Sequence, residues 1–114
     1  MVTAEEQLDA VFHALSNQTR RRLLADLAAR PARVNELARP YGMSVNAISK
    51  HLFVLERAGL VERRKQGTIQ TCVLRADALA DADEWIAAYR QYWDGQLDNL
   101  AAFVEAGKGS DAAD

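Results

Sequence analysis

Cysteine is almost absent from this 114-residue chain, and Cys72 stands alone. No intramolecular disulfide can form, which agrees with a reducing compartment. Histidine is nearly as scarce, with only His13 and His51. These three residues, dispersed over separate segments, supply no nucleophile with a base and fall short of the roughly four Cys and His ligands of a tight zinc site. A glycine-rich phosphate loop is also missing. The sequence therefore points away from an enzyme and from a bound cofactor or metal. Apolar runs are short, none approaching the roughly 18 residues of a membrane span, and no secretory leader pattern opens the chain, so a cytoplasmic protein without a membrane partner is expected.

What the chain does have is 49% hydrophobic residues and a net charge of −2. The length fits one small domain, 1–106, needing no second domain, and so limited a core makes support from another subunit an expectation. The charge is unevenly placed. Between Ser16 and Arg75 twelve Lys or Arg face four Asp or Glu, whereas the rest of the chain carries two against twelve. The distribution predicts a basic working face on an acidic frame.

Helical spacing organises the first half. Leu8, Val11, Phe12 and Leu15 share one face of a first helix, and Leu23, Leu24, Leu27 and Ala28 one face of a second, which starts at Ser16 or Asn17 and stops before Pro31. A short third helix runs from about Val34 through Ala38 until Pro40 and Gly42 break it, and Ser44 is placed to cap the next. That fourth helix contains "SVNAISKHL". Val45, Ile48, Leu52 and Leu55 form its apolar stripe, while Asn46, Ala47, Ser49 and Lys50 give a narrow polar face of the kind that reads base edges in a groove. Two helices joined by a glycine-containing turn match a helix-turn-helix.

The periodicity then changes to two short strands, "LVERRKQ" and "IQTCVLR", turning near Gly67 and Thr68. Arg63, Arg64 and Lys65 make this hairpin basic, as a phosphate-contacting wing would be. Helical pattern resumes from about Ala76 to Ala106. Trp85, Ile86, Tyr89, Trp93, Leu97, Leu100, Phe103 and Val104 give it more apolar area than a terminal helix of a small domain uses, which predicts a subunit interface. Residues 107–114, "GKGSDAAD", read as a disordered tail.

In this order, "LSNQTRRRLLADL", "NELA", "SVNAISKHLFVLERAGLVERR", "GTIQTCVL" and "WIAAYRQYWDGQLDNLAAFVE" resemble the ArsR-type winged-helix repressors over most of the chain. The resemblance implies a mainly α fold with a β-hairpin wing and a homodimer built from the N- and C-terminal helices, with Leu8 and Phe12 beside the terminal aromatics. It also implies a double-stranded DNA operator, an inverted repeat, that the protein represses by occlusion, with control of its own operon. DNA contacts are implied at Ser44, Asn46, Ala47, Ser49, Lys50 and His51, at Arg63, Arg64, Lys65 and Gly67 of the wing, and at Arg20 of the second helix.

The chain departs from the family's pattern in three places. Phe53 stands where a basic residue is common, so either one phosphate contact is lost or Phe53 packs on a neighbour or on a thymine methyl. The paired cysteines of metalloid sensors are missing from "ARVNELARPYG", and the terminal helix has no histidine. Both point to the metal-independent branch. Two readings with the same fold stand beside the repressor: an effector- or metal-sensing regulator using His13 or Cys72, and a protein-interaction module whose basic face meets an acidic partner.

Overall fold

The computed structural model describes residues 3–113, with side chains to Gly107. The first helix begins where Thr3 caps it. Its hydroxyl accepts from the Glu6 amide at 3.1 Å, and the Glu6 carboxylate accepts from the Thr3 amide at 3.2 Å. This reciprocal pair satisfies two amides that the helix itself leaves without acceptors. Helix α1 (Ala4–Leu15) buries Val11 and Ala14, with Leu8, Phe12 and Leu15 partly buried against the same core. Ser16 ends it, and Asn17 caps α2 (Gln18–Ala29) by accepting from the Arg20 amide at 3.1 Å.

On α2, Leu23, Leu24 and Leu27 are buried as expected, but Ala28 is exposed. It lies about 90° around the helix from the centre of the leucine stripe. Beyond Pro31 come β1 (Ala32–Arg33), α3 (Val34–Ala38), a tight helical turn at Arg39–Tyr41 and α4 (Val45–Arg57). The hairpin of β2 (Val61–Gln66) and β3 (Ile69–Leu74) follows, then α5 (Asp77–Ala113).

The sequence pattern predicts two strands, and the structure has three. Strand β1 pairs antiparallel with β3, Ala32 opposite Cys72 and Arg33 opposite Thr71, in a sheet ordered β1-β3-β2. Two residues are too few to show an alternation, so only the partner strand reveals them. Strands β2 and β3 pair without a break from Val61 with Leu74 to Gln66 with Ile69. Their two-residue turn has φ of +65° at Gly67, while among the described residues no residue other than glycine has a positive φ. Positive φ at the first turn position alone is the type II′ pattern, which suits the twist of a hairpin.

Helix α4 is central, packing against α1, α2, α3 and β2. Ile48, Leu52 and Leu55 are fully buried there. Two compact units result, one up to Ala82 and one from Asp83 onward. The start of α5 belongs to the first unit, and Ala78 and Ala82 join its core. In the second unit, taken by itself, Trp85, Tyr89, Tyr92, Trp93, Leu97, Leu100, Phe103 and Val104 are exposed, while Ile86 is half-buried. The Trp85 and Tyr89 rings lie 4.8 Å apart. The α5 backbone runs to Ala113, across most of the segment read from sequence as a disordered tail. The side chains of 108–113 and all of Asp114 lie outside the described residues.

Arg20, read from the sequence as a DNA contact, is packed within the fold. Only 8% of it is exposed. Its Nε donates to the Ala14 carbonyl at 2.8 Å, Nη2 donates to the His13 carbonyl at 3.1 Å, and Nη1 meets His51 Nδ1 at 3.3 Å. Those carbonyls belong to the last turn of α1: the His13 carbonyl also accepts from the Ser16 amide at 3.1 Å and from Ser16 Oγ at 2.6 Å, and the guanidinium serves the Ala14 carbonyl, which lies beyond the last helical amides. Arg21 does the same for the Leu15 carbonyl at 2.7 Å. The arginine run is thus spent largely on closing α1. His51 is half-buried, and that burial, followed by the Arg20 charge, lowers its pKa below the ordinary value. A neutral ring accepts at Nδ1, so Arg20 and His51 hold α4 to the end of α1.

Two predictions follow from this packing. His51 keeps a folded-state pKa below 6.5, so as pH falls the unfolded chain takes up that proton first. Stability should be level above pH 6.5 and decline as pH drops through that value, and His51→Gln should remove the decline in urea titrations at stepped pH. An unchanged decline in the variant would show that other groups cause it. The glycines should respond in opposite directions. At Gly59, φ is +79° and a Cβ would lie 3.2 Å from Gln7 Nε2, the group that donates to the Ala58 carbonyl; at Gly95, inside α5, a Cβ would meet nothing within 4 Å. Gly59→Ala should cost about 1–2 kcal/mol, and Gly95→Ala should gain up to about 1 kcal/mol, read from thermal or urea unfolding.

Candidate nucleic-acid interface

The exposed side of α4 begins at its cap. Ser44 Oγ accepts from the Ala47 amide at 3.1 Å, which fixes the first turn and leaves the hydroxyl hydrogen to be donated outward. Just before it, the Tyr41 hydroxyl donates to Asp26 Oδ2 at 2.7 Å, tying the turn to α2. Burial, then that hydrogen bond, raises the Tyr41 pKa to about 12, so the donor stays protonated. With Ile48, Leu52 and Leu55 turned into the core, Asn46, Lys50, Phe53 and Arg57 are exposed, and Ala47, Ser49 and His51 are half-buried. Val45 departs from its expected place in the apolar stripe: it is 50% exposed, because at the first turn of α4 it borders an open cleft with Ile69 of the wing.

The wing divides its basic residues by strand alternation. Successive side chains of a strand point to opposite faces, so Val61, Arg63 and Lys65 share one face and Glu62, Arg64 and Gln66 the other. Arg63 turns toward α4, where its Nη2 donates to the Ser49 carbonyl at 3.1 Å and to Ser49 Oγ at 3.4 Å. Its Nε sits 3.5 Å from Glu56 Oε2, an ion pair without hydrogen-bond alignment. Read from the sequence as part of a protruding basic tip, Arg63 instead clasps the helix. Arg64 lies on the opposite face, 3.4 Å from Glu62, which also meets Arg75 at 3.0 Å. Lys65 and Gly67 are exposed at the tip.

Between the wing and α4 runs a cleft of about 660 Å³ that brings Ser49, Arg63, Lys65 and Gly67 together. Arg33, Asn35, Thr68 and Gln70 also line it, none of them anticipated from the sequence. For Arg33 a weak signal existed, a basic residue just before the short "VNELA" helix. What places it here is the pairing of β1 with β3, which no local pattern announces. Asn46 and Lys50 line a second cleft along α4, which shares Ser49 and Arg63 with the first. Arg20 lies in neither, its donors already committed within the fold.

The alternative sensory residues are separated in environment. Cys72 is fully buried on β3, and burial pushes its thiol pKa up, the condition of an unreactive structural cysteine. His13 is exposed on α1. Among the described residues no group of three or more His, Cys, Asp or Glu side chains is placed to hold a metal ion. Nor, among them, is any helix long and apolar enough to cross a membrane.

Residues 15–64, from the end of α1 into β2, match a helix-turn-helix domain family. The HTH-type transcriptional regulator Rv2034 of Mycobacterium tuberculosis is 36% identical over 102 residues, which cover 86% of this chain and 89% of that protein. A crystal structure of an ArsR family transcriptional regulator is similar with a TM-score of 0.73 and 35% identity, covering 82% of this chain and 97% of the other. The solution structure of a homodimeric winged helix-turn-helix DNA-binding domain from Mycobacterium bovis, a possible ArsR-family regulator, is similar with a TM-score of 0.61 and 31% identity over 76% of this chain and 82% of that one. Sequence and fold agree, and the chain belongs to the ArsR family of winged helix-turn-helix transcriptional regulators, a class without enzymatic activity.

Proposed function

We propose that the protein is a homodimeric, sequence-specific DNA-binding repressor that occludes a promoter, its own among the targets. The observation that carries this reading is the two-sided construction of α4: Ile48, Leu52 and Leu55 are fully buried, while Asn46 and Lys50 stand exposed in a cleft shared with Arg63, and a second cleft on α4 is bordered by Arg33, Arg63 and Lys65. Short side chains at Ala47 and Ser49 permit close backbone approach to the floor of a major groove. In this reading Asn46 and Lys50 meet base edges. Ser44, Arg33, Arg64 and Lys65 meet phosphates, with Gly67 allowing the wing tip to approach the backbone. Arg63 and His51 hold the reading helix rather than touch DNA, the first through Ser49 and the second through Arg20.

The dimer rests on a separate observation. Trp85, Tyr89, Trp93, Leu97, Leu100 and Phe103 are each about half exposed or more, a larger apolar stripe than a solvated helix ordinarily presents. A second copy of the same helix is self-complementary to it under two-fold symmetry. The M. bovis relative is described as homodimeric, which supports the same arrangement here. Leu8 and Phe12 contribute to their own core as well.

Binding measurements separate the assigned roles. Lys50→Ala and Asn46→Ala should each cost about 1–3 kcal/mol on the preferred duplex and relax its sequence preference. Lys65→Ala and Arg64→Ala should weaken all duplexes alike and lower the slope of log K against log salt by about one for each phosphate no longer neutralised. Arg63→Ala should weaken binding with its salt slope unchanged. Fluorescence anisotropy over a salt series reads all three. Helix variants that keep the sequence preference would reject the assignment, and binding that ignores sequence altogether would favour the protein-interaction reading.

The dimer makes a geometric prediction about the operator. It should be an imperfect inverted repeat with half-site centres about 10 base pairs apart, or a multiple of that, because the two copies of α4 enter successive major grooves. Leu97→Asp should yield a monomer by sedimentation and abolish tight binding to the full repeat. Footprints covering a single half-site at full affinity would refute the dimer.

A further inference from the structure

Phe53 is 51% exposed in the middle of α4, the helix whose opposite side is fully buried. The core below is filled by Ile48, Leu52 and Leu55, so Phe53 supplies nothing to it. Helical spacing aligns Phe53 with Asn46, Lys50 and Arg57, four residues recurring three or four apart on one exposed stripe. Arg57 Cζ lies 5.7 Å from the Phe53 ring centroid, within the range of a cation–π contact that steadies the ring. The ring lines a shallow cleft of about 630 Å³ with Asn46, Ser49, Lys50, Val54 and Arg63. Among the described residues Glu56 is the only carboxylate bordering that cleft, and it is paired with Arg63 at 3.5 Å. The surface around Phe53 is therefore positive where an anionic partner approaches.

The distances fit one occupant. At a rise of about 1.5 Å per residue, Asn46 and Phe53 are separated by about 10.5 Å along the helix, and Arg57 lies about 6 Å farther on. A B-DNA major groove is about 12 Å wide. A helix that seats Asn46 on a base edge thus keeps Phe53 over the same groove floor and brings Arg57 to the phosphate rim. On that floor the apolar group offered by unmodified bases is the 5-methyl of thymine. Resting on the reading that α4 enters the major groove, we propose that Phe53 is a specificity-determining residue that reads a thymine methyl, with Arg57 steadying the ring and neutralising the adjacent phosphate.

The test uses the full-length protein and duplexes it selects from a random library. In the best selected duplex each thymine is replaced in turn by uracil, which deletes the methyl and nothing else. One thymine in each half-site should show a loss of about fourfold, the worth of one small apolar group removed from water. Phe53→Ala should bind the thymine duplex correspondingly more weakly and be indifferent to uracil at that position, while Phe53→Leu should keep part of the discrimination. Circular dichroism melts confirm that both variants are folded. The proposal is overturned if no uracil substitution matters, or if the loss persists undiminished in Phe53→Ala, and either result leaves the repressor reading intact provided Lys50→Ala still loses sequence preference. Failure of the intact protein to enrich any sequence would overturn the repressor reading and this inference with it.

Discussion

The orientation of α4 depends on the placement of Arg20. A helix that stops after twelve residues leaves most of its last carbonyls without amide donors, and α1 packs against α4. The Arg20 guanidinium serves two of those carbonyls and extends its third nitrogen to His51 on α4. A buried charge is tolerated there because its polar partners are already in place, and the same partners fix its direction. At the far end of α4, Gln7 donates to the Ala58 carbonyl. Polar links therefore hold α4 at its midpoint, through Arg20 to His51, and at its C-terminal end, through Gln7 to Ala58, adding direction to apolar packing that by itself is weakly directional. The exposed stripe of α4 gains a definite orientation from that combination.

The wing shows how one run of basic residues is divided into different tasks. Alternation along β2 sends Arg63 toward α4 and Arg64 away from it. The partly buried Arg63 forms the stronger attachment, because its hydrogen bonds to Ser49 are shielded from water. Arg64, more exposed and paired with Glu62, keeps a screened charge at the surface. In the proposed repressor, electrostatic attraction to a phosphate backbone rests on the tip and on Arg33, while the strand behind it stiffens the contact between wing and helix. Glu56 fits the same division: its carboxylate, which would repel a nucleic acid from beside the stripe, is neutralised by the arginine that clasps the helix.

Net charge by itself misrepresents the working face. An overall value of −2 conceals a basic central segment flanked by acidic helices. The composition of the whole chain and the character of its central segment are therefore separate quantities.

Much of this architecture was legible in the residues themselves. The order of the helices, the Ser44 cap, the buried Ile48, Leu52 and Leu55, the exposed Asn46 and Lys50, and the Gly67 turn are all local properties. They are written in spacings of two to four residues, within which the backbone fixes side-chain direction. The destinations of Arg20 and Arg63 were not legible, because a guanidinium serves a carbonyl, a carboxylate or a phosphate equally well, and His51 and Ser49 lie 31 and 14 residues from the arginines they meet. Arg33 entered the cleft only through a two-residue strand whose existence depends on β3. Val45 left the apolar stripe because the open cleft beside the wing, and not the core, borders the first turn of α4. Periodicity sets which way a side chain leaves its own element; tertiary packing decides what it meets.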